Sequence, residues 1–189
     1  MYLVVGLGNP GARYARTRHN VGFLVVERLA ARVGATVEKK LFGALVGDGS
    51  LAGKKVLFAM PQQFMNVSGQ PVASIQGFYK VPKEETIVVH DDMHLPFGRL
   101  RVRVGGGHGG HNGIRDIQRL SGNDFIRVRV GVGRPPEKMD PADYVLSSWS
   151  SVESDALEPL LDTASNAVES VVRVGVTQTM NTFNAAPAA

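Results

Sequence analysis

The 189-residue sequence contains no cysteine, and this absence removes several kinds of chemistry at once. Without thiols the chain can form no disulfide, no thiolate metal site and no cysteine nucleophile. The sequence also lacks an apolar run long enough to cross a membrane. Its N-terminus, MYLVVGLGNP, has neither the basic start nor the long apolar stretch of a secretion signal. We therefore expect no membrane partner and a soluble protein in the reducing cytoplasm.

Positive charge exceeds negative charge only modestly, with 21 Lys and Arg against 17 Asp and Glu. A solvated basic surface accounts for such a balance in many proteins, whereas a phosphate-rich partner is the functional alternative. The arginines form three clusters beside glycine-rich turns: Arg13, Arg16 and Arg18; Arg99, Arg101 and Arg103; Arg127, Arg129 and Arg134. The acids gather elsewhere, notably over residues 153–169. This segregation of charge makes a nucleic acid a serious candidate partner.

Short apolar stretches alternate with helical patterns along the chain. The patterns predict strands at 2–5, 41–46, 54–60, 86–90, 99–104 and 125–132, and helices at 21–33, 68–79, 114–120, 152–174 and 177–183. Asp48, Gly49 and Gly53 predict the turn between the second and third strands. The alternation indicates a single three-layer α/β domain over residues 1–184, in which helices flank a mixed, partly parallel twisted sheet. Residues 185–189 are predicted to form a flexible tail.

The segment GLGNPG follows the first predicted strand and matches a dinucleotide-binding pattern. Two features argue against a nicotinamide site: the residues after Gly11 are polar and cationic, and the next acid, Glu27, falls inside a predicted helix. A tight turn that needs glycine is the structural alternative. The loop also presents Asn9 between glycines, where its amide can offer a donor and an acceptor to a ligand.

His19 lies in the segment TRHN, directly before a predicted helix. A lone histidine is more often structural or solvated than catalytic. A helix N-terminus disfavours the protonated imidazole, however, and a neutral ring near physiological pH suits a general base. His19 is therefore a candidate base that takes a proton from water.

Two acids, Asp91 and Asp92, end the strand predicted at 86–90. A turn-capping aspartate is the structural interpretation, and a carboxylate that orients a catalytic histidine is the functional one. Successive residues of a strand point in different directions, so only one of the two is expected to act in this way. The sequence alone leaves open which of them it is.

Residues 105–113, GGGHGGHNG, form the most unusual segment of the chain. So many glycines cost considerable chain entropy, and close approach of the backbone to a ligand explains them better than a structural turn. A metal site is the alternative interpretation, built from His108 and His111 with His90, Asp91 and Asp92. A flexible glycine loop lacks the helical spacing typical of such sites.

For two further features, the sequence allows both a structural and a functional interpretation. Asn66 in the string FMN could cap a helix or contact a ligand. The paired arginines at 101/103 and 127/129 could be polar faces of edge strands or contacts to phosphates.

Taken together, these strings resemble the bacterial peptidyl-tRNA hydrolase family. The motifs are GLGNPG-x-x-Y-x-x-TRHN-x-G at 6–22, FMN-x-SG at 64–69, HDD-x-x-LP-x-G at 90–98, GGGHGGHNG-x-x-D-I at 105–117 and F-x-R-x-R-x-G-x-G-x-P at 125–135. They occur in the family's order and spacing and extend over essentially the whole chain. The resemblance implies a monomeric α/β enzyme that needs no cofactor and no metal. Its expected substrate is peptidyl-tRNA, cleaved at the ester between peptide and ribose so that tRNA is recycled in translation.

The resemblance also implies roles for individual residues. His19 matches the catalytic base and Asp91 the carboxylate that orients it. Asn9, Asn66 and Asn112 match amides that hold the peptide and the reacting oxygen, while Tyr14, Met65 and Gly110 belong to the cleft that contacts the substrate. Arg103 and Arg129 match basic positions that grip the tRNA 5′ phosphate. Arg103 stands where the family often has lysine, and His94 where many relatives carry an acid.

Three other functions are also consistent with the sequence. A metal-dependent hydrolase would use His90, Asp91, His108 and His111. A non-catalytic RNA-binding protein would bind tRNA without turnover, and a nicotinamide enzyme is a more distant alternative. The hydrolase interpretation accounts best for His19 and Asp91 occurring beside three asparagines, because phosphate binding requires none of them.

Overall fold

The computed structural model describes residues 1–185, and residues 186–189 of the predicted tail lie outside the described residues. The strands are β1 (Tyr2–Gly6), β2 (Lys39–Leu41), β3 (Ala44–Leu51), β4 (Lys54–Pro61), β5 (Thr86–Asp92), β6 (Leu100–Val104) and β7 (Ile126–Gly131). The helices are α1 (Val21–Arg32), α2 (Gly69–Tyr79), α3 (Asn112–Ser121), α4 (Pro141–Val145), α5 (Ser151–Val174) and α6 (Val176–Phe183). No helix within residues 1–185 has both the length and the apolar character needed to cross a membrane.

All seven strands belong to one sheet in the order β2-β3-β4-β1-β5-β7-β6. The four central strands, β4, β1, β5 and β7, run parallel to one another. The outer strands are antiparallel, because β2 and β3 extend the sheet by hairpins from β4 and β6 pairs with β7. The predicted mixed, partly parallel α/β sheet is thus confirmed.

Each face of the sheet carries its own apolar core, so the domain has three layers. Val4 of β1 packs with α1 and α5 on one face, whereas Leu3 and Val5 pack with α2 and α3 on the other. This arrangement follows from the alternation of side chains along a strand. The central strands are therefore apolar on both faces, as expected for parallel strands covered by helices.

Two details of the predicted hairpins are wrong. The strand predicted at 41–46 is interrupted by a turn at Phe42 and Gly43, both of which have positive φ angles. Of the residues predicted to form the next turn, Asp48 and Gly49 lie inside β3, whereas Gly53 lies in the turn at 52–53 that joins β3 to β4. The glycines of β3 serve close packing, since a Cβ on Gly47 would lie 2.0 Å from the carbonyl oxygen of Thr36.

Helix α1 approaches the sheet closely through two glycines. A Cβ on Gly6 would lie 2.2 Å from the Gly22 carbonyl oxygen, and one on Gly22 would lie 2.4 Å from the Val89 carbonyl oxygen. The amide of Leu7 donates to the same Val89 carbonyl at 3.1 Å. Because α1 begins two residues after His19, this contact fixes the distance between the His19 segment and the ends of β1 and β5.

We expect Gly22→Ala to lower the free energy of unfolding by about 2–4 kcal/mol, because the added methyl group must displace backbone. Gly77→Ala is the matched control, since Gly77 lies in α2 with open space where a Cβ would sit, and alanine favours helix by up to about 1 kcal/mol. Urea unfolding midpoints measure both changes. Equal stability of Gly22→Ala and the parent chain would contradict the packing argument.

Candidate active site

A cavity of about 560 Å³ opens where the loops after β1, β4 and β5 meet the start of α3 and helix α4. We call it the catalytic cavity. Its wall includes all the residues predicted to act on the ester or contact the peptide: Asn9, Tyr14, His19, Met65, Asn66, Asp91, Gly110 and Asn112. Segments far apart in the sequence converge here because the carboxyl ends of β1 and β5 lie side by side in the sheet.

The centre of the catalytic cavity is a carboxylate between two imidazoles. Nδ1 of His19 lies 2.9 Å from each oxygen of Asp91, and Nε2 of His111 lies 3.0 Å from Asp91 Oδ1. The Asp91 side chain is only 2% exposed. The two rings are themselves in contact, with centroids 4.9 Å apart.

Asp91 is a carboxylate in this arrangement. Burial acts to raise its pKa, but the charges and hydrogen bonds of His19 and His111 outweigh burial and hold the pKa well below its usual range. A carboxylate only accepts hydrogen bonds, so His19 donates from Nδ1 and His111 from Nε2. With Nδ1 protonated, Nε2 is the ring nitrogen of His19 that keeps a lone pair for a water or a substrate in the cavity.

The basicity of His19 differs from the sequence-based expectation. The expectation was that a helix N-terminus would disfavour the protonated ring. His19 lies within a single 3-10 turn, Arg18–Asn20, that leads directly into α1. Burial acts to lower the pKa of His19, yet the charge of Asp91 and its hydrogen bond raise the pKa above the ordinary value. The carboxylate therefore makes His19 a stronger base than a free histidine.

Asn9 is held with its amide group in a defined orientation. Its Oδ1 accepts from the backbone N–H of Met65 at 2.8 Å, which leaves the NH₂ group as the free end of the side chain. Its backbone is held by the Asn20 side chain, which accepts from Asn9 N at 2.8 Å and donates to Asn9 O at 2.9 Å. Asn20 was not predicted as a site residue, although it belongs to the TRHN string.

Asn66 and Asn112 are more exposed than Asn9. The Oδ1 atom of Asn112 accepts from the Arg115 guanidinium at 3.2 Å, so its NH₂ group is also the free end. Both residues line the catalytic cavity, and both also line a smaller neighbouring pocket. His111, immediately before Asn112, caps helix α3 by accepting the Ile114 N–H at Nδ1.

The wall formed by α4 was missed in the sequence. Asp140 caps this short helix by accepting the Ala142 N–H at 2.9 Å, with Pro141 at the first helical position. Pro141, Ala142, Val145 and Leu146 give the catalytic cavity an apolar side. An Asp-Pro pair is a helix-start signal that could have located α4.

A buried ion pair ties the His19 segment to the chain around α4. The Arg18 guanidinium donates to both oxygens of Glu153, at 2.6 and 3.2 Å, and to the Tyr144 carbonyl oxygen at 3.1 Å. Its plane also covers the Tyr144 ring at 4.1 Å. Arg18 is thus used internally, whereas Arg13 and Arg16 of the same cluster are exposed.

The residues of the metal hypothesis are only partly brought together. Within residues 1–185, the group close enough to share an ion is His19, Asp91 and His111. His90 and His108 are not part of that group: His90 donates from Nδ1 to the Asp91 carbonyl, and His108 accepts the Gly110 N–H. The structure therefore provides three potential ligands, of which only Asp91 and His111 belong to the predicted set.

The arginines of β6 and β7 share one face of the sheet, since Arg101 pairs with Arg129 and Arg103 with Arg127 across the strands. Arg127 is buried and donates to the carbonyls of Gly106 and Gly107. Burial and the positive charges of Arg103 and Arg129 lower the pKa of Arg127 to about 10. Arg129 itself is paired with Asp92 at 2.7 Å.

The two successive acids have separate partners, because Asp91 bonds to the imidazoles and Asp92 to Arg129. Asp92 also accepts the backbone N–H of His94. The His94 ring lies 3.0 Å from the Gly109 carbonyl oxygen and links the loop after β5 to the glycine-rich loop. An acid at position 94 could not donate to that carbonyl without binding a proton.

His90 is a buried residue in the wall of the catalytic cavity. Its Nδ1 donates to the Asp91 carbonyl at 2.8 Å, and its Nε2 has no partner among residues 1–185. Burial and, to a smaller extent, the positive charge of His111 lower the pKa of His90 to about 3, against the opposing effects of Asp91 and Asp92. His90 is therefore neutral at physiological pH. Its ring packs edge-on against His111, with centroids 4.9 Å apart.

We expect this neutral histidine to make the fold sensitive to acid. Between about pH 6.5 and about pH 3 the unfolded chain binds a proton that native His90 refuses, so stability falls as the pH falls through this range. His90→Asn keeps a donor for the Asp91 carbonyl and removes the titration. Its free energy of unfolding should fall less steeply than that of the parent between about pH 7 and about pH 5. Parallel pH profiles in urea unfolding would contradict this assignment.

Comparisons with known proteins agree with the geometry. A model of the family described as peptidyl-tRNA hydrolase matches residues 3–189. A protein of Nocardia farcinica named peptidyl-tRNA hydrolase is 50% identical over 182 residues, which cover 95% of this chain and 94% of the relative. Its counterpart from Geobacter sulfurreducens is 48% identical over 183 residues, or 96% of this chain and 94% of the relative.

A solved structure gives the same picture. The crystal structure of peptidyl-tRNA hydrolase from Acinetobacter baumannii superposes with a TM-score of 0.92 at 40% identity, covering 98% of this chain and 95% of that one. The likeness in sequence and in structure extends over nearly the full length of both chains.

Proposed function

The chain belongs to the peptidyl-tRNA hydrolase family, and we propose that it hydrolyses the ester that joins a peptide to tRNA. The observation that carries this proposal is the hydrogen-bonded pair of His19 and Asp91 at the wall of the catalytic cavity. We also propose that the protein is a monomeric, single-domain, cytoplasmic enzyme that uses neither metal nor cofactor.

The reaction begins with His19 as the general base. Asp91 holds Nδ1–H and so keeps the lone pair of the ring on Nε2, where it can take a proton from a water molecule. The raised pKa of His19 favours that transfer. The resulting imidazolium is stabilised by the carboxylate directly behind it.

The hydroxide then attacks the ester carbonyl, and negative charge develops on the carbonyl oxygen. Asn9 offers an NH₂ donor at the cavity wall that is already oriented by the Met65 N–H. A preorganised donor of this kind stabilises an oxyanion without reorganising during the reaction. The ribose oxygen leaves with the proton of the imidazolium. An ester has a better leaving group than an amide, so no covalent nucleophile is needed.

The remaining residues hold the two ends of the substrate. Met65, Tyr14 and Gly110 line the catalytic cavity beside the apolar wall of α4, which suits a peptide. Asn66 and Asn112 supply amides for peptide carbonyls. Arg103 and Arg129 share one face of the sheet with Arg127, and their positive charges repel that of Arg127. An anion bound at this face would relieve the repulsion, which supports a contact to the tRNA 5′ phosphate.

Loss of the base tests the function. His19→Ala should lower kcat for N-acetyl-aminoacyl-tRNA by about a hundredfold to ten-thousandfold, because the proton acceptor is gone. Release of the blocked amino acid from tRNA measures the rate. The unblocked aminoacyl-tRNA is the matched substrate, and we expect selective cleavage of the blocked form by the parent chain.

The result distinguishes the rival functions. A parent chain that binds tRNA without turnover would be an RNA-binding protein. Activity that disappears on treatment with a chelator and returns with a divalent ion would favour a metal-dependent hydrolase. Near-normal activity of His19→Ala would refute the role of this histidine.

The role of Asp91 predicts a change in both rate and pH dependence. Asp91→Asn removes the charge that raises the pKa of His19 and lets an amide NH₂ replace the carboxylate at Nδ1, so kcat should fall by about a thousandfold. In the parent, kcat/KM should decline with acidification around a pKa above about 6.5; in Asp91→Asn this decline should move to lower pH.

Asp92→Asn is the matched control, because Asp92 bonds to Arg129 rather than to either imidazole. It should leave the midpoint of the acidic decline close to that of the parent. An equal shift in both variants would indicate a general electrostatic effect and would contradict the specific coupling of Asp91 to His19.

A further inference from the structure

A second pocket of about 320 Å³ adjoins the catalytic cavity on the side of α3. We call it the side pocket, and it is lined by Asn66, Asn112, Arg115, Asp116 and Arg119. Asn66 and Asn112 line both spaces, so the two pockets adjoin at these asparagines. Every residue of the side pocket is polar, whereas the catalytic cavity has an apolar wall.

The charges of the side pocket are unequally compensated. Asp116 accepts two hydrogen bonds from Arg119 through Oδ1, at 2.7 and 3.1 Å, and the Gly69 N–H through Oδ2 at 2.8 Å. Asp116 and Arg119 therefore neutralise each other. Arg115 forms no ion pair within residues 1–185 and contacts only the neutral Oδ1 of Asn112 through Nη2. The side pocket thus carries one uncompensated guanidinium.

The start of α3 adds to this positive potential. Asn112 is the first residue of α3, and the partial positive charge of a helix N-terminus acts on the same space as Arg115. The exposed Arg115 side chain retains free N–H donors after its bond to Asn112. A guanidinium with free donors beside a helix N-terminus suits a phosphate or carboxylate ligand.

We propose that the side pocket binds the phosphate of the 3′-terminal nucleotide of the tRNA, with Arg115 as its principal ligand. This inference rests on the proposed function. The scissile ester has a peptide on one side and a nucleotide on the other, and the apolar wall of the catalytic cavity suits the peptide. The adjoining cationic space is left for the nucleotide, whose phosphate is the anion nearest to the reacting ribose.

The arrangement also gives Asn112 a place in this contact. Arg115 donates a hydrogen bond to the Oδ1 of Asn112. A phosphate that binds the guanidinium and holds it in place therefore also stabilises the orientation of the Asn112 amide. Binding of the nucleotide and binding of the peptide are thereby coupled through one hydrogen bond.

The test uses two small substrates that differ only in the phosphate: the N-acetyl-aminoacyl 3′-esters of adenosine and of adenosine 5′-monophosphate. The parent chain should have a kcat/KM about tenfold higher for the phosphorylated ester, as expected for one charge-assisted contact. Arg115→Met should bring this ratio close to one. Arg115→Lys, which keeps the charge, should restore part of it, and Arg173→Met, at an exposed arginine of α5, should leave it unchanged.

The ratio reports phosphate recognition, because any effect of Arg115 on Asn112 that does not require the phosphate affects both esters alike. A parent ratio of one, or a ratio unchanged by Arg115→Met, would overturn the proposal. Loss of cleavage in Arg115→Met for esters of acidic peptides alone would assign the pocket to the peptide and would also overturn it.

Full-length substrate provides the second measurement. For N-acetyl-aminoacyl-tRNA, Arg115→Met should raise KM by about tenfold. The dependence of KM on salt concentration should weaken by the amount expected for the loss of about one phosphate contact. An unchanged salt dependence would again overturn the inference. Failure of the parent chain to cleave this substrate at all would instead refute the proposed function.

Discussion

The ionised carboxylate of Asp91 is the group on which the site depends. A carboxylate removed from water is unstable unless other groups supply charge or hydrogen bonds, and here two imidazole N–H groups do so. Because the carboxylate accepts a hydrogen bond from one nitrogen of each ring, it determines which nitrogen carries a proton. His19 is left with a basic Nε2 toward the cavity, and His111 with an Nδ1 that caps α3. Proton position in the site and the start of a helix are thus set by one buried charge.

That carboxylate can reach His19 only because the backbone of α1 lies almost against the sheet. Gly6 and Gly22 permit the approach, and any side chain at either position would separate the helix from β1 and β5. On the opposite side, Arg18 fixes the same segment to Glu153 at the start of α5. A buried pair of this kind contributes little net stability but is costly to break, which favours one geometry over its alternatives. The short segment between the two anchors carries His19.

The sequence predicted the sheet type, most helices and the residues around the cavity, because period-two and helical patterns are local and the motifs are long. It failed where a residue's role depends on distant contacts. Gly49 looked like a turn residue, but it lies inside β3, where a Cβ would lie 3.0 Å from the Val33 side chain. The basicity of His19 was expected to follow from the nearby helix, whereas Asp91, 72 residues away, determines it. Asn20 and Arg18 acquire their roles only when the chain is folded.

The asparagines show a common way of preparing donors for a ligand. An asparagine side chain has one acceptor and one donor group, and a protein that binds the acceptor leaves the donor for the substrate. The Met65 N–H does this for Asn9, and Arg115 does it for Asn112. Both substrate groups expected nearby, the ester carbonyl and the peptide carbonyls, are acceptors. The difference lies in the partner: a backbone amide fixes Asn9 permanently, whereas a charged side chain makes the orientation of Asn112 responsive to an anion bound beside it.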